Sequence, residues 1–401
     1  MPTFVIAGAS LAGAKAAETL RDEGFDGQIV LLGAEPERPY ERPPLSKGYL
    51  LGNDELDSVY VHPADWYAEH DVDLRTGVTV TGIDRAASAV ATSDGSTVSY
   101  DKLLLATGAS PRRLNFPGSD REEVLYLRTT ADSARLRAAF QAAPRVVVAG
   151  AGWIGLETTA AARSYGCPVT VLEPQPGALH DQLGPELGAV FTALHRAHDV
   201  DFRFGERAVE FRPGMVITSA GAEVPADLLV VGIGAAPNDQ LAAAAGLDVN
   251  NGVLTDESLR TTDPAIFAAG DVANSYHPLL GRRVRVEHWA NALNGGPAAA
   301  RAMLGQTVVY DPVPYFYSDQ YDLGMECAGL PTPGSYDQVL YRGDPDSLEF
   351  IAFWLQSGTV IAGMNVNVWD VSDDIQALIR SGKPVDKARL ADESVPLSSL
   401  V

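Results

Sequence analysis

Three groups of residues have types and spacings suited to chemistry. The first is Gly150-x-Gly152-x-x-Gly155, which follows the apolar run Val146-Val147-Val148-Ala149 and opens an Ala-rich stretch. The first glycine allows a tight turn, the second lets a pyrophosphate approach the backbone, and the third lets helix and strand pack closely. The helix then presents its positive N-terminal end to the phosphates. Glu173 closes the next apolar run, where a carboxylate holds ribose hydroxyls and repels a 2′-phosphate. No Arg follows Glu173 closely, which favours NADH over NADPH. A glycine turn without any ligand is the competing reading.

The second group, Gly8-x-Ser10-x-x-Gly13, departs at its middle position, where a small serine still permits close approach. Glu35 stands where Glu173 stands in the other copy. Two such units imply two dinucleotides, one giving and one taking hydride, which is nicotinamide and flavin chemistry. The third group is Ile266-Phe267-Ala268-Ala269-Gly270-Asp271. An acid placed after a glycine turn at the end of a buried strand can reach the hydroxyls of a ribityl chain; an N-cap aspartate is the alternative.

The elements that must position these groups are readable in outline. Each glycine turn joins a short apolar run to a helix-forming segment and then to a second apolar run, one βαβ unit made twice. Between the copies, residues 74–84 and 89–100 read as strands with a hairpin turn at Asp94-Gly95, and 103–108 as a buried strand. Residues 201–211 and 215–218 read as strands, 228–234 as a buried run ending at Gly234, and 289–304 as a helix. From Pro312 the texture changes to aromatic, strand-like runs at 315–317, 349–355 and 360–368, followed by a helix over 371–381. The expected fold is α/β, with two Rossmann-like dinucleotide-binding domains and a C-terminal α+β domain.

Composition narrows the function. The 401 residues carry 30 Lys and Arg against 52 Asp and Glu, a net charge of −22. Such acidity argues against sequence-independent nucleic-acid binding and against docking on anionic membranes. The longest strongly apolar stretch, 146–156, falls well short of the roughly 20 residues of a membrane span. No basic region precedes an apolar run at the N-terminus, so no signal peptide is expected. Two distant cysteines, Cys167 and Cys327, make neither a disulfide framework nor a metal cluster, and a reduced, cytoplasmic protein without a metal is expected.

Taken together, Gly8–Gly13, Tyr40-Glu41-Arg42-Pro43-Pro44-Leu45-Ser46-Lys47, Ala106-Thr107-Gly108, Tyr126-Leu127-Arg128-Thr129, 150–157, 268–271, Glu287-His288-Trp289 and Ser318-Asp319-Gln320-Tyr321 span nearly the whole chain in order. As a set they resemble the flavoprotein ferredoxin reductases of the pyridine-nucleotide–disulfide-oxidoreductase superfamily, the putidaredoxin reductase and rubredoxin reductase type. The resemblance implies a glutathione-reductase-like architecture: an FAD domain over 1–112 and 240–313, an NAD domain over 113–239 and a C-terminal domain over 314–401. It implies FAD contacts at Gly8, Ser10, Ala12, Gly13, Glu35, Arg42, Lys47, Val80, Ala106, Thr107, Gly108, Arg128, Asp271 and Trp289. NADH contacts are implied at Gly150, Gly152, Ile154, Gly155, Glu157, Glu173 and Gly234. Lys47 and Glu157 are implied as the catalytic pair: a cation beside the flavin favours the reduced, anionic ring, and a carboxylate holds the cation. A surface lysine in a Pro-rich loop and a first-turn helix acid are the plainer readings of these two residues. Trp289 either flanks the flavin or packs the helix start.

Disulfide reductases, oxidases and peroxidases of the superfamily carry a flavin-side cysteine where this chain has Pro44-Leu45-Ser46-Lys47. Without that thiol, electrons are expected to leave FAD directly and singly for a one-electron partner. The resemblance implies a [2Fe–2S] ferredoxin serving a P450 or an aromatic-ring dioxygenase. An NADH oxidase or peroxidase, and a flavoprotein with a signalling or binding role, are the alternatives. Many relatives carry Trp where this chain has Tyr317. Arg282, Arg283 and Arg285 form the densest basic cluster, read either as a ferredoxin dock or as a solvated hairpin. A monomer or weak dimer is expected.

Overall fold

Runs of Val, Ile and Leu without polar alternation bury both faces of a strand, and here they form two parallel sheets. In the computed structural model, which describes residues 1–401, the first sheet is built on Thr3–Ala7. Gln28–Gly33 and then Val72–Thr76 lie to one side of it, Lys102–Leu105 and then Ile266–Ala268 to the other, all parallel. The second sheet is centred on Val146–Ala149, with Val169–Glu173 and Val200–Phe204 on one side and Leu228–Val231 and Val124–Tyr126 on the other. The chain divides into two compact units.

The first unit comprises Met1–Arg42, Leu56–Ser110 and Ala235–Pro314. Successive residues of its central strand serve opposite faces. Phe4 and Ile6 pack under the helices Leu11–Asp22 and Trp289–Met303, while Val5 and Ala7 pack with Val30, Leu103 and Leu105 under the meander Val80–Asp84, Ala89–Thr92, Thr97–Ser99. The two helices touch closely because Gly296 has no side chain; a Cβ there would lie 2.2 Å from the Ala12 carbonyl oxygen.

The second unit comprises Pro43–Glu55, Pro111–Gly234 and Tyr315–Val401. Its parallel sheet also feeds a meander, Ala208–Arg212, Met215–Thr218, Glu223–Pro225, after its third strand in chain order from Val146. The internal duplication therefore extends beyond the βαβ units to include this ribbon. A five-stranded antiparallel sheet follows, in the order Tyr315–Gln320, Leu323–Gly329, Thr359–Val366, Glu349–Gln356, Gln338–Asp344. The helix Ser372–Ser381 buries Ile375 and Leu378. Trp153 meets Phe316 and Phe191 edge to face at 4.8 and 5.5 Å, and Trp354 Nε1 donates to the Leu183 carbonyl at 3.1 Å. These contacts join the antiparallel sheet to the parallel one.

Two expectations need correction. Residues 74–84 are not one strand: the chain leaves the parallel sheet at Gly77, whose φ of +69° suits glycine, and begins the meander at Val80. Residues 201–211 break in the same way at Gly205, φ +77°. In both copies an apolar pattern runs on across the turn, so periodicity alone does not show the break. The hairpin at Asp94-Gly95 and the helix starting at Trp289 are where the sequence places them.

Candidate active site

Each glycine turn sits at the carboxyl end of its central strand, between neighbours whose connections leave in opposite directions, the crevice where open α/β sheets bind ligands. Gly8 and Gly150 have φ of +127° and +101°, and a Cβ would lie 2.0 Å from the Ala106 oxygen or 2.4 Å from the Gly232 oxygen. A Cβ on Gly13 or Gly155 would lie 2.0 Å from the oxygen of Gly8 or Gly150 respectively. Gly13 and Gly155 bring helix and strand together, and Gly8 and Gly150 bring the turn against the end of the neighbouring strand. Gly152 is different: a Cβ there would meet nothing within 4 Å, so the space beside it is open to a ligand. Ser10, its counterpart, caps the helix Leu11–Asp22 by position but makes no side-chain capping bond, which leaves its hydroxyl for an anion.

In the first unit Glu35 lies just beyond Gln28–Gly33. It accepts a hydrogen bond from the Tyr40 hydroxyl, and its Oε1 pairs with Arg42 at 2.6 Å. Arg42 also feels the charge of Asp271, which follows Gly270 (φ +73°) beyond Ile266–Ala268. Asp271 acts on His288 as well, yet burial dominates there and pushes that imidazole down to about 4. Trp289 is the next residue and the first of its helix. Ala12 is buried at the closest approach of the two helices. Ala106, Thr107 and Gly108 follow Lys102–Leu105, and the Thr107 hydroxyl is committed to the Asn238 carbonyl at 2.8 Å. The first unit thus gathers Gly8, Ser10, Ala12, Gly13, Glu35, Arg42, the 106–108 turn, Asp271 and Trp289 along one sheet edge. Val80 stands apart, at the start of the meander, where it packs against the core cluster of that face.

In the second unit Glu173 Oε2 accepts the Ala151 amide at 2.7 Å and Oε1 the Gln175 amide at 2.8 Å, so the carboxylate lies against the glycine turn. Ile154 and Ile233 are 43% and 38% exposed beside the turns of Gly152 and Gly234, apolar surface of the kind that lines a nucleotide pocket. Arg128 stands apart from this turn, before the capping box of Thr129 and Asp132.

The second unit also holds a buried ion pair. Lys47 Nζ lies 2.8 Å from Glu157 Oε1, with side chains 14% and 4% exposed. Ser318 Oγ donates to the same oxygen at 2.7 Å, and Ser46 Oγ donates to Oε2. Glu157 comes from the first helical turns after the glycine fingerprint, Ser46 and Lys47 from the segment 43–55, and Ser318 from the antiparallel sheet. Lys47 Nζ lies 5.4 Å from the centre of the Tyr317 ring. Burial raises the neighbouring Asp319 carboxyl, with Lys47 opposing and Glu157 adding to the effect. Behind Ser318 lie Gln320 and His195. Sequence reasoning does not assign roles to Ser46, Ser318, Gln320 or His195; the only signal is that three of them stand inside segments that carry the resemblance.

Cys167 and Cys327 are fully buried, and burial raises both thiols. Neither stands in the Pro44–Lys47 segment. Of the basic cluster, Arg285 pairs with Glu287 and bonds the Asp271 carbonyl, and Arg283 reaches the carbonyls of Thr255 and Asn274. Only Arg282 of the three is without such an internal bond to its guanidinium.

Two parallel sheets, each with a glycine turn shaped for pyrophosphate at its carboxyl edge and an acid one strand away, define a two-dinucleotide oxidoreductase. Residues 2–296 match the family model of pyridine nucleotide-disulphide oxidoreductases and 315–401 that of the reductase C-terminal domain, and the chain belongs to this family. It is 41% identical over 403 residues to the ferredoxin–NAD(+) reductase component of an anthranilate 1,2-dioxygenase system from Burkholderia cepacia, covering 99% of both chains. Its structure is similar to the ferredoxin reductase for the CYP199A2 system of Rhodopseudomonas palustris, with TM-score 0.96 and 35% identity over 100% of this chain and 99% of that one. It is also similar to a chain of a covalent putidaredoxin reductase–putidaredoxin complex, with TM-score 0.94 and 36% identity over 99% of this chain and 97% of that one. The chain is an FAD- and NADH-binding oxidoreductase, and the open space at Gly152, the uncommitted Ser10 hydroxyl and the paired acids fit both cofactors.

Proposed function

We propose that this protein passes electrons from NADH to a [2Fe–2S] ferredoxin that serves a P450 or an aromatic-ring dioxygenase. The observation that carries this reading is the Lys47–Glu157 pair, 2.8 Å long and buried, in a chain whose two thiols are both sequestered elsewhere. With no cysteine to take the electrons, the output is direct. Bound FAD would supply the acceptor for hydride from NADH and the one-electron donor to the partner.

The chain's own residues bind and orient. Gly8, Ser10, Ala12, Gly13, Glu35, Arg42, Val80, Ala106, Thr107, Gly108, Asp271 and Trp289 hold FAD, in a domain assigned to 1–112 and 240–313, and Arg128, which lies outside those bounds, is assigned to FAD as well. Gly150, Gly152, Ile154, Gly155, Glu157, Glu173 and Gly234 hold NADH, in a domain assigned to 113–239, with 314–401 as the third. Glu35 and Glu173 take ribose hydroxyls, and Glu173 disfavours a 2′-phosphate. Lys47 supplies positive charge where negative charge develops, and Glu157 keeps it there. The protein acts in the cytoplasm as a monomer or weak dimer. Of the basic cluster, Arg282 is the residue we assign to the ferredoxin.

The test is NADH-driven cytochrome c reduction with and without a [2Fe–2S] ferredoxin. A large ferredoxin-dependent rate is expected. Rapid bleaching of the flavin by NADH with no stimulation by several ferredoxins would show another acceptor, and turnover with oxygen or peroxide would identify an oxidase or peroxidase.

A further inference from the structure

Behind Glu157 runs a line of buried polar groups to which no role has yet been given, and the direction of each hydrogen bond in it is determined. Ser318 Oγ gives its one proton to Glu157 Oε1 at 2.7 Å, so it meets Gln320 Nε2, 3.0 Å away, as an acceptor. This sets the amide of Gln320, whose Oε1 accepts from His195 Nε2 at 2.8 Å. Nδ1 of His195 is then the bare nitrogen and accepts the Tyr321 hydroxyl at 3.2 Å. His195 is 0% exposed, and burial pushes its imidazole down to about 4, which keeps it in the neutral form that this pattern needs. His198 stacks flat on Tyr321, ring centroids 3.6 Å apart and planes 6° from parallel. Every donation runs the same way, Tyr321 to His195 to Gln320 to Ser318 to Glu157, and aligned hydrogen bonds polarise one another. The line ends on a carboxylate, which only accepts.

We propose that His195 and Gln320 are positioning residues for the reaction: acting through Ser318, they hold the Glu157 carboxylate, and with it the Lys47 ammonium, in the working orientation. The proposal rests on the role given above to Lys47 and Glu157. A phenylalanine at 195 would leave Gln320 Oε1 buried without its donor. Nothing then fixes which end of the Gln320 amide faces Ser318, so the Ser318 hydroxyl is no longer held with its proton on Glu157.

The experiment uses FAD-loaded enzyme and compares His195→Phe, His195→Gln, Ser318→Ala, the His195→Phe/Ser318→Ala double variant and Glu157→Gln. Three quantities are read: the limiting rate of anaerobic flavin bleaching by NADH, the NADH Kd from the same series, and the FAD midpoint potential. His195→Phe is expected to slow the limiting rate about tenfold, the loss of one buried hydrogen bond, and to move the potential in the direction that Glu157→Gln moves it. Its NADH Kd should move no further than Glu157→Gln moves it, because Glu157 is also assigned to NADH. Glutamine at 195 can present its Nε2 where the imidazole Nε2 stood, so His195→Gln should return to within about twofold of wild type. In the Ser318→Ala background His195→Phe should add nothing, because the link it acts through is gone. Ser318→Ala removes only one oxygen, and its slowing carries the test should His195→Phe fail to load FAD. Equal impairment of His195→Phe and His195→Gln, or additive effects in the double variant, would reduce His195 to packing. A shifted Glu157→Gln beside an unshifted His195→Phe overturns the relay alone. A Glu157→Gln enzyme with wild-type rate and potential overturns the underlying site reading with it.

Discussion

At the scale of residues, Lys47 and Glu157 pose a problem of balance. Their side chains are 14% and 4% exposed, so each charge has given up most of its water. Removing one partner of a buried pair costs about 3–5 kcal/mol, because the other is left charged and unpaired. Lys47→Met should therefore lower the melting temperature, and adding Glu157→Gln should recover part of that loss; a double variant no more stable than Lys47→Met would contradict the pairing. Two histidines set a pH dependence. His195 and His288 have folded values pushed to about 4 from an ordinary 6.5. Between those limits the unfolded chain binds more protons than the native one, so stability is lost as pH falls from 6.5 towards 4 and not further below. Each contributes about 3 kcal/mol over that window. Thermal unfolding at pH 7, 5.5 and 4.5 should show the loss, with a shallower slope in His195→Gln.

At the scale of elements, the four close-packed glycines and Gly152 separate folding from binding. A Cβ on Gly155 would lie 2.0 Å from the Gly150 carbonyl oxygen, so Gly155→Ala must push the helix off its strand. We expect a loss of about 1–3 kcal/mol, as for overpacked cores, together with weakened NADH binding. A Cβ on Gly152 meets nothing in the protein, and Gly152→Ala should keep its melting temperature while raising the NADH Kd. Calorimetry and NADH titration of both variants would check this; equal loss of stability in the two would refute it. Much of this scale is legible in sequence, since a glycine turn, an apolar run and a helix-forming stretch are local. The breaks at Gly77 and Gly205 are not, because apolar residues continue across each turn into a ribbon that packs on the same sheet.

At the scale of the whole molecule, a net charge of −22 gives no long-range attraction for an acidic ferredoxin. A local patch has to do the steering, and the structure narrows the candidate cluster. Arg282 and Arg283 are both exposed, but Arg283 is tied to main-chain carbonyls, and Arg285 to Glu287 and the Asp271 carbonyl. Arg282→Glu should raise the KM for ferredoxin several-fold, as rim charges act on association, and leave NADH–ferricyanide turnover unchanged. Arg285→Glu should lower stability instead. Ferredoxin kinetics indifferent to Arg282→Glu would move the dock elsewhere.

The amino-acid sequence by itself determined the two nucleotide-binding turns, the acids one strand beyond each, the change of texture after Pro312 and the lack of a thiol beside Lys47. All of these are properties of neighbouring residues, written in glycine spacing and apolar period. Tertiary structure alone decided what surrounds Glu157. Ser46 and Ser318 reach it across 111 and 161 residues, and Gln320 meets His195 across 125. Contacts at such separations carry no period or spacing in the chain. They exist because folding brings a Pro-rich segment, a helix and a strand of the antiparallel sheet to one buried point, where each polar atom has to find a partner.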